Sequence, residues 1–364
     1  MDNISQRVSF FLETYTPQGL CSFFKDLYSD DVTKSIYQIT GGIASVCSML
    51  MKLVADNVVE QGFSVLQISN PLSSHYLDAV YFPQLNTALS NGGENNIMSG
   101  RYPVVVEKVV GLSPCFDRGI ISENAHNIKQ MFDEEKREKL RAIGFLSAAY
   151  SLMNDGRMIE QKYMDVDKIY RYASRLARRE FGSKLSKNGR EYRCFLSSIT
   201  SRGVEIYSNT LLNLCDRFYV FNDRYGVVAE CIVGFIKEYA LSYGYDVIAC
   251  YCPMSSGGSV EHLIVPELEL CFFSDKAYHS ADFVDCRKVS SNRFVDIKAL
   301  SENKKRLSFD RKGADEMLGE AVKLFSSTEN IRKRLDLIYF SCLDKSALSA
   351  AADRITDEIL NRKP

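Results

Sequence analysis

The chain contains two copies of one sequence pattern, and this internal repeat restricts the possible folds more than any other feature. The segment FLETYTPQG at 11–19 resembles FLSSITSRG at 195–203. Further along, GFSVLQISNPLSS beginning at Gly62 resembles GYDVIACYCPMSS beginning at Gly244. The second member of each pair follows the first at almost the same separation along the chain. A pattern that recurs in the same order at almost the same spacing indicates a duplicated structural unit.

A third pair of segments supports the duplication and fixes the predicted boundaries. LDAVYFPQL at 77–85 matches VEHLIVPEL at 260–268 and keeps this separation. The total of 364 residues also suits two domains better than one. We therefore expect one copy over residues 1–185 and the other over 186–364, joined by a stretch rich in Gly, Ser and Lys.

Within each copy, apolar strands alternate with a helical pattern. In the first copy SIYQIT at 35–40 and FSVLQIS at 63–69 are typical of strands, and the spacing of apolar residues between them predicts a helix over 48–61. In the second copy RFYVFN at 217–222 and YDVIACY at 245–251 repeat the scheme. Strands joined by a crossover helix predict an α/β fold, in which each copy is a mainly parallel, helix-covered sheet with an added helical segment.

The added helical segments follow the predicted sheets and are rich in charge. They extend over about 120–180 and 303–364. Within them, LRAIGFLSAAYSLMND at 140–155 loosely resembles RLDLIYFSCLDKSALSA at 334–350. This pairing is weaker than the others, because any two amphipathic helices share such a rhythm.

Composition and charge exclude several classes of protein. Apolar residues make up 46% and charged residues 25%, and no run of about 18 uncharged apolar residues could span a bilayer. Because the N-terminal segment lacks a signal-peptide pattern, we expect a cytoplasmic protein. The net charge of −1 gives no global attraction to nucleic acid or to an anionic membrane. One segment, 171–193, has eight Lys or Arg against two Glu, but a solvated helix end explains it better than nucleic-acid binding.

The eleven cysteines are scattered and are expected to be reduced, mostly buried thiols. Cys250 and Cys252 would share one face of a strand, and with Cys271 and Cys286 they could in principle hold zinc. Neither pair has the two-residue gap of a metal knuckle, so core thiols are favoured and no metal site is predicted.

The segment between the first strand and the first helix has the rhythm of a phosphate-binding loop. Such a loop reads G-x-x-x-x-G-K-[ST], in which glycine backbone N–H groups surround the phosphates and the lysine and hydroxyl complete the site. GGIASVCS at 41–48 keeps the first glycine and the final serine, but Val46 and Cys47 replace the second glycine and the lysine. Backbone donors and the helix dipole could still hold an anion here. The candidate residues for this residual anion site are Gly41, Gly42, Ala44, Ser45, Cys47 and Ser48.

The equivalent segment of the second copy departs further from the motif. DRYGVVAE at 223–230 keeps none of the four required positions. Ala229 replaces the lysine, and Glu230 places an anion where the magnesium-binding hydroxyl belongs. Gly226 is only a weak candidate for a cofactor contact. The first copy is therefore the better candidate for any remaining nucleotide binding.

Together, these landmarks resemble a family of bacterial tandem P-loop ATPase-like proteins. Thr16 with Gly19, and Thr200 with Gly203, match a motif that precedes the first strand. The middle motif of the family is matched in both copies. Its positions are Leu77, Asp78, Ala79, Val80, Pro83 and Leu85 in the first copy and Ser259, Glu261, Pro266, Glu267 and Leu268 in the second. The acid expected at the end of the following strand is replaced by Ser90 or Asn91 and by Ser274, with Asp275 one position late.

This resemblance implies two tandem P-loop NTPase-like units whose phosphate, lysine and metal positions are lost. It favours a pseudo-NTPase that binds other proteins, or itself, without hydrolysing nucleotide. The alternative is an ATP- or GTP-binding ATPase or kinase-like protein, with Mg²⁺ at the first copy and Asp78 as a weak candidate for the catalytic acid. No cofactor is certain, and a protein partner is expected in preference to nucleic acid or membrane.

Overall fold

Two six-stranded sheets with helices packed against them form the fold, and the strands follow the predicted apolar segments. The computed structural model describes residues 8–29, 32–91, 102, 104–255, 258–276, 283 and 285–361. The predicted α/β class, with a mainly parallel, helix-covered sheet in each copy, is confirmed. In the described part of the chain, no helix has both the length and the apolar character that crossing a bilayer requires.

The N-terminal half of the chain supplies one sheet and its associated elements. These are β1 (Val8–Phe10), β2 (Glu13–Thr16), β3 (Gly19–Ser22), α1 (Phe24–Leu27), β4 (Ser35–Thr40), α2 (Ala44–Glu60), β5 (Leu66–Ser69), β6 (Leu77–Phe82), β7 (Thr87–Asn91), β8 (Glu107–Gly111), α3 (Arg118–Glu123), α4 (Ala125–Gln161) and α5 (Val166–Glu180).

The C-terminal half supplies the same succession of strands and long helices. These are β9 (Glu191–Cys194), β10 (Ser197–Thr200), β11 (Gly203–Ile206), α6 (Ser208–Leu214), β12 (Arg217–Asn222), α7 (Val227–Ser242), β13 (Val247–Tyr251), β14 (Val260–Val265), β15 (Leu270–Asp275), β16 (Arg287–Ser290), α8 (Ile297–Ser301), α9 (Lys304–Ser341) and α10 (Lys345–Leu360). Short 3₁₀ turns at Pro83–Leu85, Ser113–Cys115, Pro266–Leu268 and Ser291–Phe294 connect some of these elements.

The two sheets have the same strand order. Read from equivalent edges, the orders are β1-β5-β6-β7-β4-β8 and β9-β13-β14-β15-β12-β16. In each sheet one strand, β6 or β14, is antiparallel to both neighbours, and the other described pairings are parallel. The connection after that strand is also repeated, because Asn86 and Glu269 both adopt a left-handed conformation behind a Pro-initiated 3₁₀ turn. The matched Pro-x-Leu segments of the sequence therefore build the same turn twice.

The compact units of the fold have boundaries that differ from the two predicted copies. One unit comprises the described residues of the ranges 1–13, 22–140 and 324–364, and the other comprises 14–21 and 141–323. Helix α5 is the last helix of the first copy, yet it packs on α7, and helix α10 packs on α2. The reason is apolar burial, since these two helices bury residues in the cores around α7 and α2.

The cores themselves follow the amphipathic pattern of those helices. In the first unit α10 buries Leu348, Ala352, Ile355 and Ile359 in one cluster with apolar residues of α2 and of the sheet. In the second unit α5 buries Ile169, Ala173, Leu176 and Ala177 in one cluster with residues of α7. Burial of a leucine or isoleucine side chain contributes about 1.5–3 kcal/mol, so each helix supplies a substantial part of its core.

Candidate functional site

The first phosphate-loop-like segment is a short turn that enters a helix at once. Gly41 has φ of +75°, and α2 begins at Ala44, whereas the predicted helix starts at 48. The Cys47 N–H donates to the Ile43 carbonyl at 3.0 Å, which closes the first helical turn. The prediction of a helix over 48–61 is therefore wrong at its start. Local hydrogen bonding, which sequence periodicity does not register, lets the helix begin directly after the turn.

Side chains that follow β8 cover this turn. A Cβ atom on Gly41 would lie 2.5 Å from Ser113 Oγ, and one on Gly42 would lie 2.8 Å from Leu112 Cδ1. The Leu112 N–H donates to the Thr40 carbonyl at 2.8 Å, which fixes this cover against the end of β4. The space beside the two glycines, where a phosphate would lie in a working loop, is thus occupied by the protein.

The remaining candidate residues of this segment lie within α2, and each serine side chain has a protein partner. Ser45 Oγ donates to Asp336 Oδ1 at 2.6 Å, and Ser48 Oγ accepts the Leu77 N–H at 2.9 Å. The Cys47 side chain is fully buried, and this burial raises its pKa to about 12. Ala44 is the first residue of the helix. These surroundings do not favour the predicted residual anion site, which stays a prediction.

Asp336 supplies a negative charge at the first turn of α2. Its Oδ1 accepts from Ser45, and its Oδ2 accepts the Tyr76 hydroxyl at 2.8 Å. A helix N-terminus attracts anions because its partial positive charge is unneutralised. Here a carboxylate of the chain itself lies beside that end of the helix.

Asp78, the weak candidate for a catalytic acid, is enclosed in a buried polar network. Its two carboxylate oxygens accept from Asn70 Nδ2 at 3.0 and 3.1 Å, and the Asn91 side chain also bonds to it. Asn70 Oδ1 in turn accepts from Arg332 Nη1 at 3.1 Å. Burial raises the pKa of Asp78 to about 6, although the Asn70 hydrogen bonds and Arg332 oppose this shift. The contacts of Asp78 are those of a structural acceptor, and its catalytic role stays a prediction.

The family motif has a magnesium-binding acid at the end of the strand that follows the middle motif. In both sheets the corresponding residues lie at the end of that strand. Asn91 pairs with Ile39 of β4, and Asp275 pairs with Asn222 of β12, so each is at the end of the strand beside the loop-bearing strand. Asn91 bonds to Asp78, and Asn222 Nδ2 lies 3.5 Å from Asp275 Oδ2.

The second loop, like the first, leads directly into a helix. In this case two of the first backbone N–H groups of the helix bind carboxyl groups of the chain. Gly226 is the N-cap of α7 with φ of +78°, and it is buried. Asp223 Oδ2 accepts the Ala229 N–H at 2.7 Å, and the Glu160 carboxyl group accepts the Val227 N–H. The anion-binding positions at this helix end are therefore filled by two acidic side chains of the chain itself.

The Glu160 carboxyl group is held in an environment that favours its neutral form. Burial is the main cause, the charge of Asp223 adds to it, and together they raise the pKa of Glu160 to about 8. Glu160 Oε2 and Asp223 Oδ1 are both buried without a hydrogen-bond partner in the described part of the chain. A phosphate at this helix end would meet the same repulsion from Asp223.

Two cations that the motif analysis did not identify lie at the same place. Lys276 follows the last residue of β15, and a Cβ atom on Gly226 would lie 2.5 Å from its Cε atom. Its Nζ atom contacts Glu261 Oε1 at 2.7 Å. Arg157 of α4 donates from Nη1 to the Tyr225 carbonyl at 3.1 Å and from Nη2 to Glu230. Glu261 and Glu230 are thereby each paired with a cation.

A cavity of about 320 Å³ opens at this end of the second sheet. Part of its lining comes from the segments that follow β12, β13 and β15, which are mutually parallel, so their carboxyl ends meet at one edge. This edge is where α/β sheets bind ligands most often. Residues of α4, α9, β10, β11 and β14 supply much of the remainder of the lining. The polar and charged lining residues are Tyr150, Asn154, Arg157, Ser197, Ser198, Arg224, Tyr225, Glu230, Cys252, Ser255, Ser259, Glu261, Lys276, Asp310 and Arg311.

Sequence reasoning located this site only in part. It singled out Gly226, Glu230 and Glu261 from the repeat, but it missed Arg157 and Lys276. Lys276 has a usable signal, because it directly follows the acid at the end of β15. Arg157 has none, since it lies within the long helix α4 and reaches the loop only through tertiary packing.

The cysteines and the basic segment form no further site among the described residues. Cys194 Sγ and Cys250 Sγ are 3.6 Å apart in the core, and burial holds the pKa of the Cys250 thiol well above its usual range. Within the described ranges, no three His, Cys, Asp or Glu side chains are placed to hold a metal ion. At the end of the basic segment, Arg179 pairs with Glu180 at 3.0 Å.

Comparisons with known proteins give no relative on which to base a function. No family model, no curated protein and no solved structure matches this chain significantly.

Proposed function

We propose that this chain is a degenerate tandem P-loop NTPase-like protein that does not hydrolyse nucleotide and acts by binding. The observation that carries the proposal is the presence of acidic side chains of the chain itself at the first turns of both helices. Asp336 lies at the first turn of α2, while Asp223 and Glu160 accept N–H groups of α7. In a working NTPase this end of the helix faces the phosphates.

The proposal is supported by the covering of the loops as well as by their charge. Ser113 and Leu112 lie against the glycines of the first loop, and Lys276 lies against Gly226 of the second. A phosphate would have to displace these side chains and also overcome carboxylate repulsion. A binding role, with a protein partner or a second copy of the chain, needs neither loop to be open.

Titration calorimetry of the full chain with Mg-ATP and Mg-GTP tests the proposal. We expect no saturable heat at millimolar nucleotide, and a working P-loop ATPase measured in parallel shows that the assay detects binding. Saturable binding in the micromolar range would contradict the proposal. Light scattering coupled to gel filtration then shows whether the partner is another copy of the chain.

A further inference from the structure

We propose that the cavity in the second unit binds a small organic anion with a mainly apolar body. The cavity is called here the strand-end cavity, and it is lined by residues of the second unit only. This inference goes beyond the proposed function, because it concerns a ligand other than a nucleotide.

The walls of the strand-end cavity are mainly apolar. Its volume of about 320 Å³ lies at the lower end of the range for small-molecule sites. The apolar side chains that line it are Leu152, Met153, Ile199, Val204, Pro253, Met254, Leu307 and Leu318. Such walls favour a ligand with an aromatic or aliphatic body, because its burial removes apolar surface from water.

The acids inside the cavity are already neutralised by neighbouring cations. Lys276 pairs with Glu261 at 2.7 Å, and Arg157 pairs with Glu230. The side chains of Lys276 and Glu261 are only 14% and 2% exposed, so this pair is well shielded from water. These four residues form part of the inner wall. Their charges balance within the two pairs, so they give no net attraction for a charged ligand.

Two further arginines give the cavity its unbalanced charge. Arg224 and Arg311 line it, both are exposed, and neither guanidinium has a carboxylate partner among the residues that the structure describes. Arg224 instead lies over the ring of Tyr225, at 6.0 Å from the centroid. A carboxylate or sulfonate on the ligand would complement this pair of cations.

Asp310 adds a buried polar atom to the same lining. Its Oδ2 has no hydrogen-bond partner in the described part of the chain, and the residue is only 7% exposed. Burial and the neighbouring Asp155 raise the pKa of Asp310. Because the Asp310 carboxyl group also hydrogen-bonds to Asp155, its proton is engaged in that contact, and Oδ2 is left as an acceptor for a hydroxyl or amine of the ligand.

A polyphosphate does not fit this distribution of charge. The end of the cavity beside α7 contains Glu230, with Asp223 and Glu160 at the first turn of the same helix. Several phosphates in a row would meet Asp223 and the Glu230–Arg157 pair, whose cation is already engaged, whereas a single acidic group can lie beside the two arginines. The predicted class is therefore a monoanionic amphipathic molecule.

A pair of fluorescent probes of nearly equal shape tests the proposal. Anilinonaphthalene sulfonate carries the anion, and N-phenylnaphthylamine is its uncharged counterpart. We expect the folded wild-type chain to bind one equivalent of the sulfonate. The double variant Arg224→Gln/Arg311→Gln should lower the sulfonate affinity roughly tenfold and change the affinity for the amine less than about twofold.

Variants that fill the cavity separate this site from other apolar surfaces. Met254→Trp should weaken binding of both probes, and Val204→Trp provides a second test if the first variant unfolds. The matched control is Leu337→Trp, since Leu337 is 74% exposed and lies outside the lining. Cooperative thermal unfolding must be retained in each variant, because partly folded chains also bind the sulfonate probe.

Three results would overturn the inference. The first is a sulfonate affinity that the arginine variant leaves unchanged, and the second is binding that neither cavity-filling variant weakens. The third is displacement of the bound sulfonate by Mg-ATP, which would also count against the proposed absence of nucleotide binding. The first two results leave that proposed function standing, so the two failures can be told apart.

Discussion

At the scale of single residues, the acidic side chains beside each loop decide how readily that loop could bind an anion. Glu160 and Asp223 bind N–H groups of α7, and Asp336 lies beside the first turn of α2. Glu160 and Asp336 could not be assigned to a loop from the sequence, because they belong to distant helices. The missing lysines could be identified, since that loss is visible in the motif itself.

We predict that Glu160→Gln makes stability less dependent on pH. The folded chain keeps the Glu160 proton up to about pH 8, whereas an ordinary glutamate releases it near 4.5. The native state therefore binds more protons between these values, and stability is lost as the pH rises through this window. Glutamine keeps an acceptor for the Val227 N–H without the charge. At pH 9 the variant should be more stable than the wild type by at least about 1 kcal/mol.

Urea unfolding at pH 5 and pH 9 measures this effect. The control is Glu123→Gln, because Glu123 is exposed and its replacement should leave the difference between the two pH values unchanged. An equal loss of stability with pH in the Glu160 variant and the wild type would contradict the prediction.

Asp78 provides a second test at this scale. We predict that Asp78→Ala lowers the free energy of unfolding by about 1–3 kcal/mol, because it leaves the buried amide of Asn70 and the half-buried amide of Asn91 without their acceptor. Asp78→Asn keeps an acceptor and should cost clearly less. Chemical denaturation measures both, and an equal cost for the two variants would show that the hydrogen bonds are not the cause.

At the scale of elements, the repeat predicted β12 well, but β5 and β13 begin later than the strands predicted at 63–69 and 245–251. RFYVFN forms β12 over the predicted positions 217–222, since an apolar strand ends where its side chains cease to be buried. Helix α2 begins at Ala44, about one turn earlier than predicted, because one backbone bond from Cys47 to Ile43 decides its start. The residues that are structurally equivalent in the two helical segments also differ from those matched by the looser sequence pairing of 140–155 with 334–350.

The helix caps explain this last difference. Asp165 caps α5 by accepting one backbone N–H group, and Asp344 caps α10 by accepting two. These equivalent caps lie closer together along the chain than the starts of the looser sequence pairing, at 140 and 334, so the two alignments are in different registers. Similar amphipathic helices can be aligned in several registers, and only the caps distinguish among them.

The turn before α2 can be tested with a matched pair of glycines. Gly41 and Gly62 both have positive φ, but only Gly41 has close neighbours, with Ser113 Oγ 2.5 Å from the position of an added Cβ. We predict that Gly41→Ala costs about 3 kcal/mol of stability and Gly62→Ala about 1 kcal/mol. Thermal unfolding compares the two. Equal costs would show that the cover formed by Ser113 is not tightly packed against the turn.

At the scale of the whole molecule, the sequence repeat and the compact units divide the chain differently. Helix α10 lies in the second copy by sequence, yet it completes the core around α2, and α5 does the same around α7. A repeat shows which segments are related but not which of them pack together. The similarity of the two sheets could therefore be predicted from the sequence. The core against which α5 or α10 packs could not.

We predict that residues 1–185 alone do not fold cooperatively. This fragment lacks Leu348, Ala352, Ile355 and Ile359, which are buried in the core with α2. The other fragment, 186–364, lacks α5, whose apolar residues are buried in one core with α7. Produced together, the two fragments should copurify and melt in one transition, as followed by circular dichroism. A sharp transition for residues 1–185 alone would contradict this division of the core.

The most direct test of the account is phosphate release by the purified full chain supplied with Mg-ATP or Mg-GTP. We predict a rate no higher than that of the buffer, with no change in Ser48→Ala, because acidic side chains of the chain lie at the first turns of both helices. Magnesium-dependent release that is lost in Ser48→Ala would contradict the account and show that the first loop still performs phosphate chemistry.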